Sequence, residues 1–92
     1  MEHLSIKDIH DRLDELKDWE LIGHEITKEF RFKDFKEAME FVHKIGEEAE
    51  REHHHPDILI RYNKVTINLT THDANGLTYK DFKLARIIEQ LV

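Results

Sequence analysis

The sequence predicts an α+β fold, a four-stranded antiparallel sheet with helices packed on one face. Two periodicities in the 92-residue chain support this fold class. Apolar residues recur every three or four positions in three segments, as in amphipathic helices, and every second position in four others, as in half-buried strands. The segments follow the order α-β-β-α-β-β-α, and no flexible linker separates them. We therefore expect a single domain over residues 1–92.

The first three elements are a short helix and a hairpin. Ser5 can cap the helix, with the acidic Asp8 three residues later. A stripe at helical spacing then predicts about three turns, through Ile6, Ile9, Leu13 and Leu16. From Trp19 to Phe32 apolar and polar residues alternate, interrupted by a turn near Gly23. This segment predicts two strands joined by that turn.

The central helix has the clearest pattern in the chain. Asp34 can cap it, and an apolar stripe follows at steps of three and four, through Phe35, Ala38, Met39, Val42, Ile45 and Ala49. We expect the helix to stop near His54, because Pro56 lacks an N–H and biases the preceding residue away from helical geometry.

A second hairpin follows Pro56. Its two strands present alternating apolar residues, Ile58, Ile60 and Tyr62 in the first and Val65, Ile67 and Leu69 in the second. A two-residue turn at Asn63-Lys64 would pair Tyr62 with Val65 and keep the apolar residues on one face. The same register brings His55 opposite His72 at the open end of the hairpin.

The last helix follows a turn at Asn75-Gly76. Thr78 and Asp81 form a capping pair at its start. Apolar residues then recur at helical spacing, through Phe82, Ala85, Ile88 and Leu91 or Val92.

Histidines converge near the end of the central helix. The run Glu50-Arg51-Glu52-His53-His54-His55-Pro56 contains three of them, and the predicted hairpin adds His72. Glu50 and His54 are four residues apart, so the carboxylate can hydrogen-bond and orient the imidazole. Imidazole titrates near neutral pH, and such a cluster suits either proton transfer or metal binding.

The composition excludes several classes of function. The chain contains no cysteine, so it has neither a disulfide framework nor a thiolate metal site, and a reducing cytoplasm is the expected setting. Its net charge of -6 argues against a nucleic-acid partner. No apolar run approaches the roughly 20 residues that span a bilayer, and the N-terminal residues lack the pattern of a signal peptide. We expect no membrane partner.

Seven positions agree with the signature of one family. Glu50 is followed after three residues by His54-His55-Pro56, after five more by Tyr62, after nine by His72 and after eight by Asp81. This spacing closely resembles that of the pterin-4a-carbinolamine dehydratases, small proteins with the same order of helices and strands. The flanking segments Tyr62-Asn63-Lys64-Val65 and Phe32-Lys33-Asp34-Phe35 also resemble the family.

The resemblance implies an enzyme that dehydrates 4a-hydroxytetrahydropterin to quinonoid dihydropterin in tetrahydrobiopterin-type cofactor recycling, without metal or organic cofactor. It makes His54, His55 and His72 the active-site histidines, with Glu50 and Asp81 as supporting acids. We interpret His54 and His72 as the acid-base pair and His55 as a residue that binds the pterin. The resemblance also implies that Trp19 could stack on the flat substrate, whereas a lone tryptophan after a helix is more often a core residue.

Two other functions are compatible with the sequence. Histidines with Glu50 could form a metal-binding module, although no HExxH or similar ligand spacing is present. A non-catalytic interaction role is the other, because mammalian relatives serve as dimerisation cofactors of a homeodomain transcription factor. The stripe on the long helix would then be the contact surface.

The size of the chain also predicts self-association. A domain of 92 residues has only a modest core, and Phe41 extends the apolar surface of the long helix beyond the arc that one sheet can cover. Relatives form dimers and tetramers. We therefore expect a homodimer or homotetramer with Phe41 in a subunit contact.

Overall fold

The computed structural model describes residues 2–92 and has the predicted order of elements. The α-helices are α1 (Ile6–Leu13), α2 (Phe35–Glu52) and α3 (Tyr79–Glu89). The strands are β1 (Glu20–Ile22), β2 (Glu25–Arg31), β3 (Asp57–Arg61) and β4 (Lys64–Leu69), and a 3-10 turn, η1 (His72–Ala74), follows β4. None of the helices described in residues 2–92 has the length and apolar character needed to cross a membrane.

The four strands form one antiparallel sheet in the order β1-β2-β4-β3. The longest pairing joins the two central strands, from Ile26 opposite Leu69 to Arg31 opposite Lys64. Alternate residues of these strands are buried against the helices, namely Ile26, Phe30, Val65, Ile67 and Leu69. The α+β fold predicted from the periodicities is thereby confirmed.

Helix α1 is shorter than its apolar spacing predicts. The Ser5 hydroxyl accepts a hydrogen bond from the Asp8 N–H at 3.2 Å, as expected for an N-cap. The helix ends after eight residues, and Leu16 lies beyond it. Ile9 is buried, whereas Ile6 is exposed, so the stripe contributes less to the core than predicted.

Helix α2 begins at the predicted cap, where Asp34 Oδ1 accepts from the Glu37 N–H at 2.9 Å. Its C-terminus is at Glu52 because His53 adopts the left-handed conformation, with φ 54° and ψ 38°. Such a residue is a common C-cap. The helix therefore ends through His53, before Pro56 could interrupt it.

The predicted exposure of Phe41 is wrong. Phe41 is only 3% exposed, and its ring lies 5.0 Å from that of Phe30 and 4.8 Å from that of Phe32, measured between centroids. The exposed apolar side chains of α2 are instead Phe35 and Met39. The rings of Phe30, Phe32 and Phe41 pack together in the core. The apolar stripe of the helix alone does not predict this contact, because Phe30 and Phe32 lie outside the helix.

The second hairpin has a different register from the predicted one. Arg61 pairs with Lys64, so the turn consists of Tyr62 and Asn63, and Tyr62 is exposed with φ 52° rather than on the apolar side. Asn63 is held by the segment between β2 and α2: its side-chain amide donates to the Phe32 carbonyl at 2.9 Å, and its own carbonyl accepts from the Phe32 N–H at 2.8 Å. The shift is two residues, so the same face remains apolar.

Candidate active site

His54 is directed toward α3 by the end of α2. The left-handed conformation of His53 reverses the chain, and the His54 N–H closes the helix by donating to the Ala49 carbonyl at 3.1 Å. The His54 side chain is then nearly buried, and its Nε2 lies 2.6 Å from Asp81 Oδ1. A charge-assisted hydrogen bond of this length fixes the orientation of the imidazole.

Asp81 is fully buried at the first turn of α3 and has a second set of partners. Its Oδ2 accepts from the Thr71 hydroxyl at 2.8 Å and from the Thr78 N–H at 2.9 Å. Both carboxylate oxygens therefore act as acceptors, and His54 Nε2 is the donor. A neutral imidazole with its proton on Nε2 carries its lone pair on Nδ1, which is then the nitrogen that can exchange a proton with a substrate.

The predicted pairing of Glu50 with His54 is wrong. Glu50 Oε2 hydrogen-bonds instead to Nε2 of His55, and both side chains are more than half exposed. The reason is the left-handed His53, which takes His54 off the helical face that Glu50 occupies. The cluster thus contains two His–carboxylate pairs, one buried and one at the surface.

A cavity of about 240 Å³ brings the histidines together. His54, His55 and His72 all line it, although the observed register of β3 and β4 does not set His55 opposite His72 as predicted. The other lining residues are His53, Thr70, Thr71, Asp73 and Lys80. Glu50 and Asp81 do not line the cavity, and each contacts one of the histidines that do. Two pieces of chain distant in sequence, the end of α2 and the start of η1, therefore supply the imidazoles.

The sequence analysis missed several residues of this site. Thr71 is buried and links Asp81 to Thr78, with 2.8 Å between the two threonine hydroxyl oxygens. Lys80 supplies a cation at the cavity wall. The Thr78–Asp81 capping box is visible in the sequence and is present in the structure. Its link to His54 depends on packing of α2 against α3 and has no local signal.

The structure does not place Trp19 at this cavity. Trp19 is buried, its indole N–H donates to Glu89 Oε1 at 3.0 Å, and its ring meets that of Phe30 edge to face. Glu89 is the last residue of α3, whereas the histidines gather at the first turn of that helix. Lys28 also contacts Glu89, so this end of α3 is held by a partly buried polar network. The stacking role predicted for Trp19 has no support in the geometry of the single chain.

Within residues 2–92, no three His, Asp or Glu side chains are grouped closely enough to hold a metal ion. Every buried side-chain nitrogen or oxygen of these residues has a hydrogen-bond partner. The carboxylates near the histidines thus orient imidazoles by hydrogen bonds.

Known proteins are similar to this chain in sequence and in fold. The family model for Pterin 4 alpha carbinolamine dehydratase matches residues 2–91. A relative from Cyanothece sp., which has the provisional name pterin-4-alpha-carbinolamine dehydratase, is 56% identical over 88 residues, or 96% of this chain and 91% of the relative. A relative from Sulfurisphaera tokodaii with the same provisional name is 47% identical over 92 residues, or 100% of this chain and 99% of the relative.

Two solved structures also have a fold similar to that of this chain. The crystal structure of a transcriptional coactivator/pterin dehydratase from Brucella melitensis superposes with a TM-score of 0.94 at 34% identity, covering 97% of each chain. A pterin dehydratase-like protein described as a RuBisCO assembly factor in the alpha-carboxysome shares the fold, with a TM-score of 0.66 at 18% identity over 79% of this chain and 84% of the other. The family model spans almost the whole sequence, and the relatives agree with it. The chain therefore belongs to the pterin 4 alpha carbinolamine dehydratase family.

Proposed function

We propose that this protein is a hydro-lyase that converts 4a-hydroxytetrahydropterin to quinonoid dihydropterin and water. The observation that carries the proposal is the convergence of three imidazoles on one cavity, with His54 held by the buried carboxylate of Asp81. Family membership supports the same reaction. We expect the reaction to serve tetrahydropterin recycling in the cytoplasm, a setting that a chain without cysteine favours.

The reaction requires two proton transfers. The bond between C4a and its hydroxyl oxygen breaks, and the oxygen leaves as water after receiving a proton. The N5–H proton is removed, and its electron pair forms the new C4a–N5 double bond. A pair of imidazoles can perform both transfers, and each contributes roughly 100- to 10,000-fold to the rate. No redox step is involved.

The geometry suggests how the residues share this work. His54 exchanges its proton at Nδ1, because Nε2 is engaged by Asp81, and the carboxylate stabilises the imidazolium form. His72, which also lines the cavity, performs the other transfer. His55 is more exposed and is oriented by Glu50, which suits a residue that binds the pterin at the cavity mouth.

An absorbance assay of carbinolamine dehydration on purified protein tests the proposal. His54→Ala or His72→Ala should each lower kcat by about 100- to 10,000-fold, as expected for loss of an acid-base group. His43→Ala is the matched control, because His43 is exposed on α2 and lines a different surface. Wild-type protein that gives no acceleration over buffer would contradict the function. Variants at His54 and His72 that keep full turnover would contradict the site.

A further inference from the structure

Asp81 is the end point of a series of hydrogen bonds that starts at the first turn of α3. The Lys80 N–H donates to the Thr78 hydroxyl oxygen at 3.3 Å, and that oxygen lies 2.8 Å from the Thr71 hydroxyl oxygen. The Thr71 hydroxyl donates to Asp81 Oδ2 at 2.8 Å, and Asp81 Oδ1 accepts from His54. Thr71, Thr78 and Asp81 are all buried, so bulk water does not compete for these bonds.

The hydrogens in this series can point in only one direction. A backbone N–H can only donate and an ionised carboxylate can only accept, whereas a hydroxyl has one hydrogen to donate. The Thr71 hydrogen is used on Asp81, so the Thr78 hydroxyl must donate to the Thr71 oxygen. Every hydrogen therefore points toward Asp81, and hydrogen bonds aligned in this way strengthen one another.

The Thr71 hydroxyl holds the Asp81 carboxylate in one orientation. Asp81 Oδ2 accepts from this hydroxyl and from the Thr78 N–H, so two donors fix that oxygen while Oδ1 faces His54. Without the Thr71 hydroxyl, a single hydrogen bond would hold Oδ2, and the carboxylate could rotate about its bond to Cβ. His54 Nε2 would then lose the fixed acceptor that selects the tautomer of the ring.

The main chain of Thr71 belongs to the segment that carries His72. The Thr71 N–H donates to the Gly76 carbonyl at 3.0 Å, and the Thr71 carbonyl accepts from the Gly76 N–H at 3.4 Å, so these two residues close the loop that contains η1. His72 is the residue after Thr71 and the first residue of η1. The side-chain bond from Thr71 to Asp81 therefore ties this segment to the carboxylate that orients His54.

We propose that Thr71 is a positioning residue whose hydroxyl, through Asp81, fixes the His54 imidazole relative to η1 and hence to His72. This inference rests on the proposed function. Thr71 acts through another residue, because its one hydroxyl hydrogen is used on Asp81 and is not free for a substrate. Loss of the hydroxyl should therefore affect kcat, which depends on the geometry of the two imidazoles, and leave KM nearly unchanged.

Thr71→Val tests the role of the hydroxyl, because valine keeps the branched shape of the side chain and removes its polar group. In the dehydration assay kcat should fall about tenfold, with KM within about twofold of wild type. Thr71→Ser should keep kcat within about threefold of wild type, since serine restores the donor.

Thr78→Val is the matched control for stability. It removes the hydroxyl that caps α3 but keeps both donors to Asp81 Oδ2, the Thr71 hydroxyl and the backbone N–H of residue 78. Both valine variants should lower Tm by roughly 4–8 °C, because each loses a buried hydrogen bond. Only Thr71→Val should lower kcat by more than about threefold.

Nitrogen-15 NMR of the histidine rings tests the same role without requiring turnover. At mildly alkaline pH, where ordinary imidazoles are neutral, wild-type His54 should carry its proton on Nε2. Thr71→Val should give a mixture of the two tautomers of His54, whereas Thr71→Ser and Thr78→Val should keep the Nε2–H form. Thr66→Val should match wild type in kcat and in the NMR spectrum, because Thr66 is on β4 and does not line the histidine cavity.

A Thr71→Val protein with wild-type kcat and a single His54 tautomer would overturn the inference. Equal losses of kcat in Thr71→Val and Thr78→Val, or a loss that Thr71→Ser does not reverse, would also overturn it and leave Thr71 as a structural residue. A wild-type protein without dehydratase activity, in which the His54 tautomer still depends on Thr71, would support the positioning role and contradict the proposed function.

Discussion

Asp81 combines two structural roles in one buried side chain. Its Oδ2 completes the capping box of α3, and its Oδ1 orients His54. A buried carboxylate needs such partners, because an unpaired charge away from water is strongly destabilising. The same bonds that stabilise the start of the helix therefore also fix which nitrogen of His54 faces the cavity.

Asp81→Asn should lower both activity and stability. An amide in place of the carboxylate no longer stabilises the His54 imidazolium, and we expect kcat to fall about 10- to 100-fold, as for other carboxylates that orient functional histidines. The free energy of unfolding should fall by about 1–3 kcal/mol because the buried hydrogen bonds are disturbed. Urea denaturation and the dehydration assay measure the two effects.

Asp34→Asn is a matched control for that prediction. Asp34 caps α2 through the same kind of hydrogen bond but has no contact with the histidines. Because asparagine is a good N-cap, stability should change by less than about 0.5 kcal/mol and turnover should stay at the wild-type level. An Asp81→Asn enzyme with unchanged kcat would show that Asp81 serves only as a cap.

At the scale of elements, the end of α2 determines where the cluster points. His53 is the residue that leaves helical geometry, and a side chain with a Cβ is strained in the left-handed region. His53→Gly should therefore raise the free energy of unfolding by about 0.5–1 kcal/mol, which corresponds to an increase in Tm of roughly 2–8 °C for a domain of this size. Thermal denaturation followed by circular dichroism measures the change.

The same substitution inside the helix should have the opposite effect. Glu40 is exposed in the middle of α2, so Glu40→Gly should lower the free energy of unfolding by about 1 kcal/mol. Destabilisation by His53→Gly of similar size would show that the histidine side chain contributes contacts that exceed the backbone strain.

At the scale of the whole molecule, the surface of α2 suggests where subunits could meet. Phe35 and Met39 are large apolar side chains that remain exposed on one chain, and they lie on one face of α2 together with Lys36, Glu40 and His43. A small domain that leaves such a surface uncovered is a candidate for self-association. We retain the prediction of a homodimer or homotetramer and transfer the contact from Phe41 to these residues.

Met39→Glu should reduce the mass measured by light scattering while the isolated domain remains folded, because the charge would be buried in a subunit contact. Phe41→Glu should instead unfold the domain, since Phe41 is in the core. Wild-type protein that has a mass near 11.1 kDa at micromolar concentration would contradict the assembly. Such a result would leave Phe35 and Met39 as ordinary surface residues.

The sequence determined the features that depend on local periodicity and on residue type. The order of elements and the caps at Ser5, Asp34 and Thr78 agree with the structure. These features follow from spacing along a helix or strand, which one stretch of chain sets by itself. The family signature added the expected chemistry.

Only the tertiary structure decided which groups are partners. His54 pairs with Asp81 rather than Glu50 because a left-handed residue turns the chain, and Phe41 is buried because β2 and the segment after it supply two more aromatic rings. The turn at Tyr62 and Asn63 is likewise fixed by a contact with Phe32, thirty-one residues away from Asn63 in sequence. Each of these choices depends on a contact between distant segments, and the free energy of such contacts is not encoded in the periodicity of either segment alone.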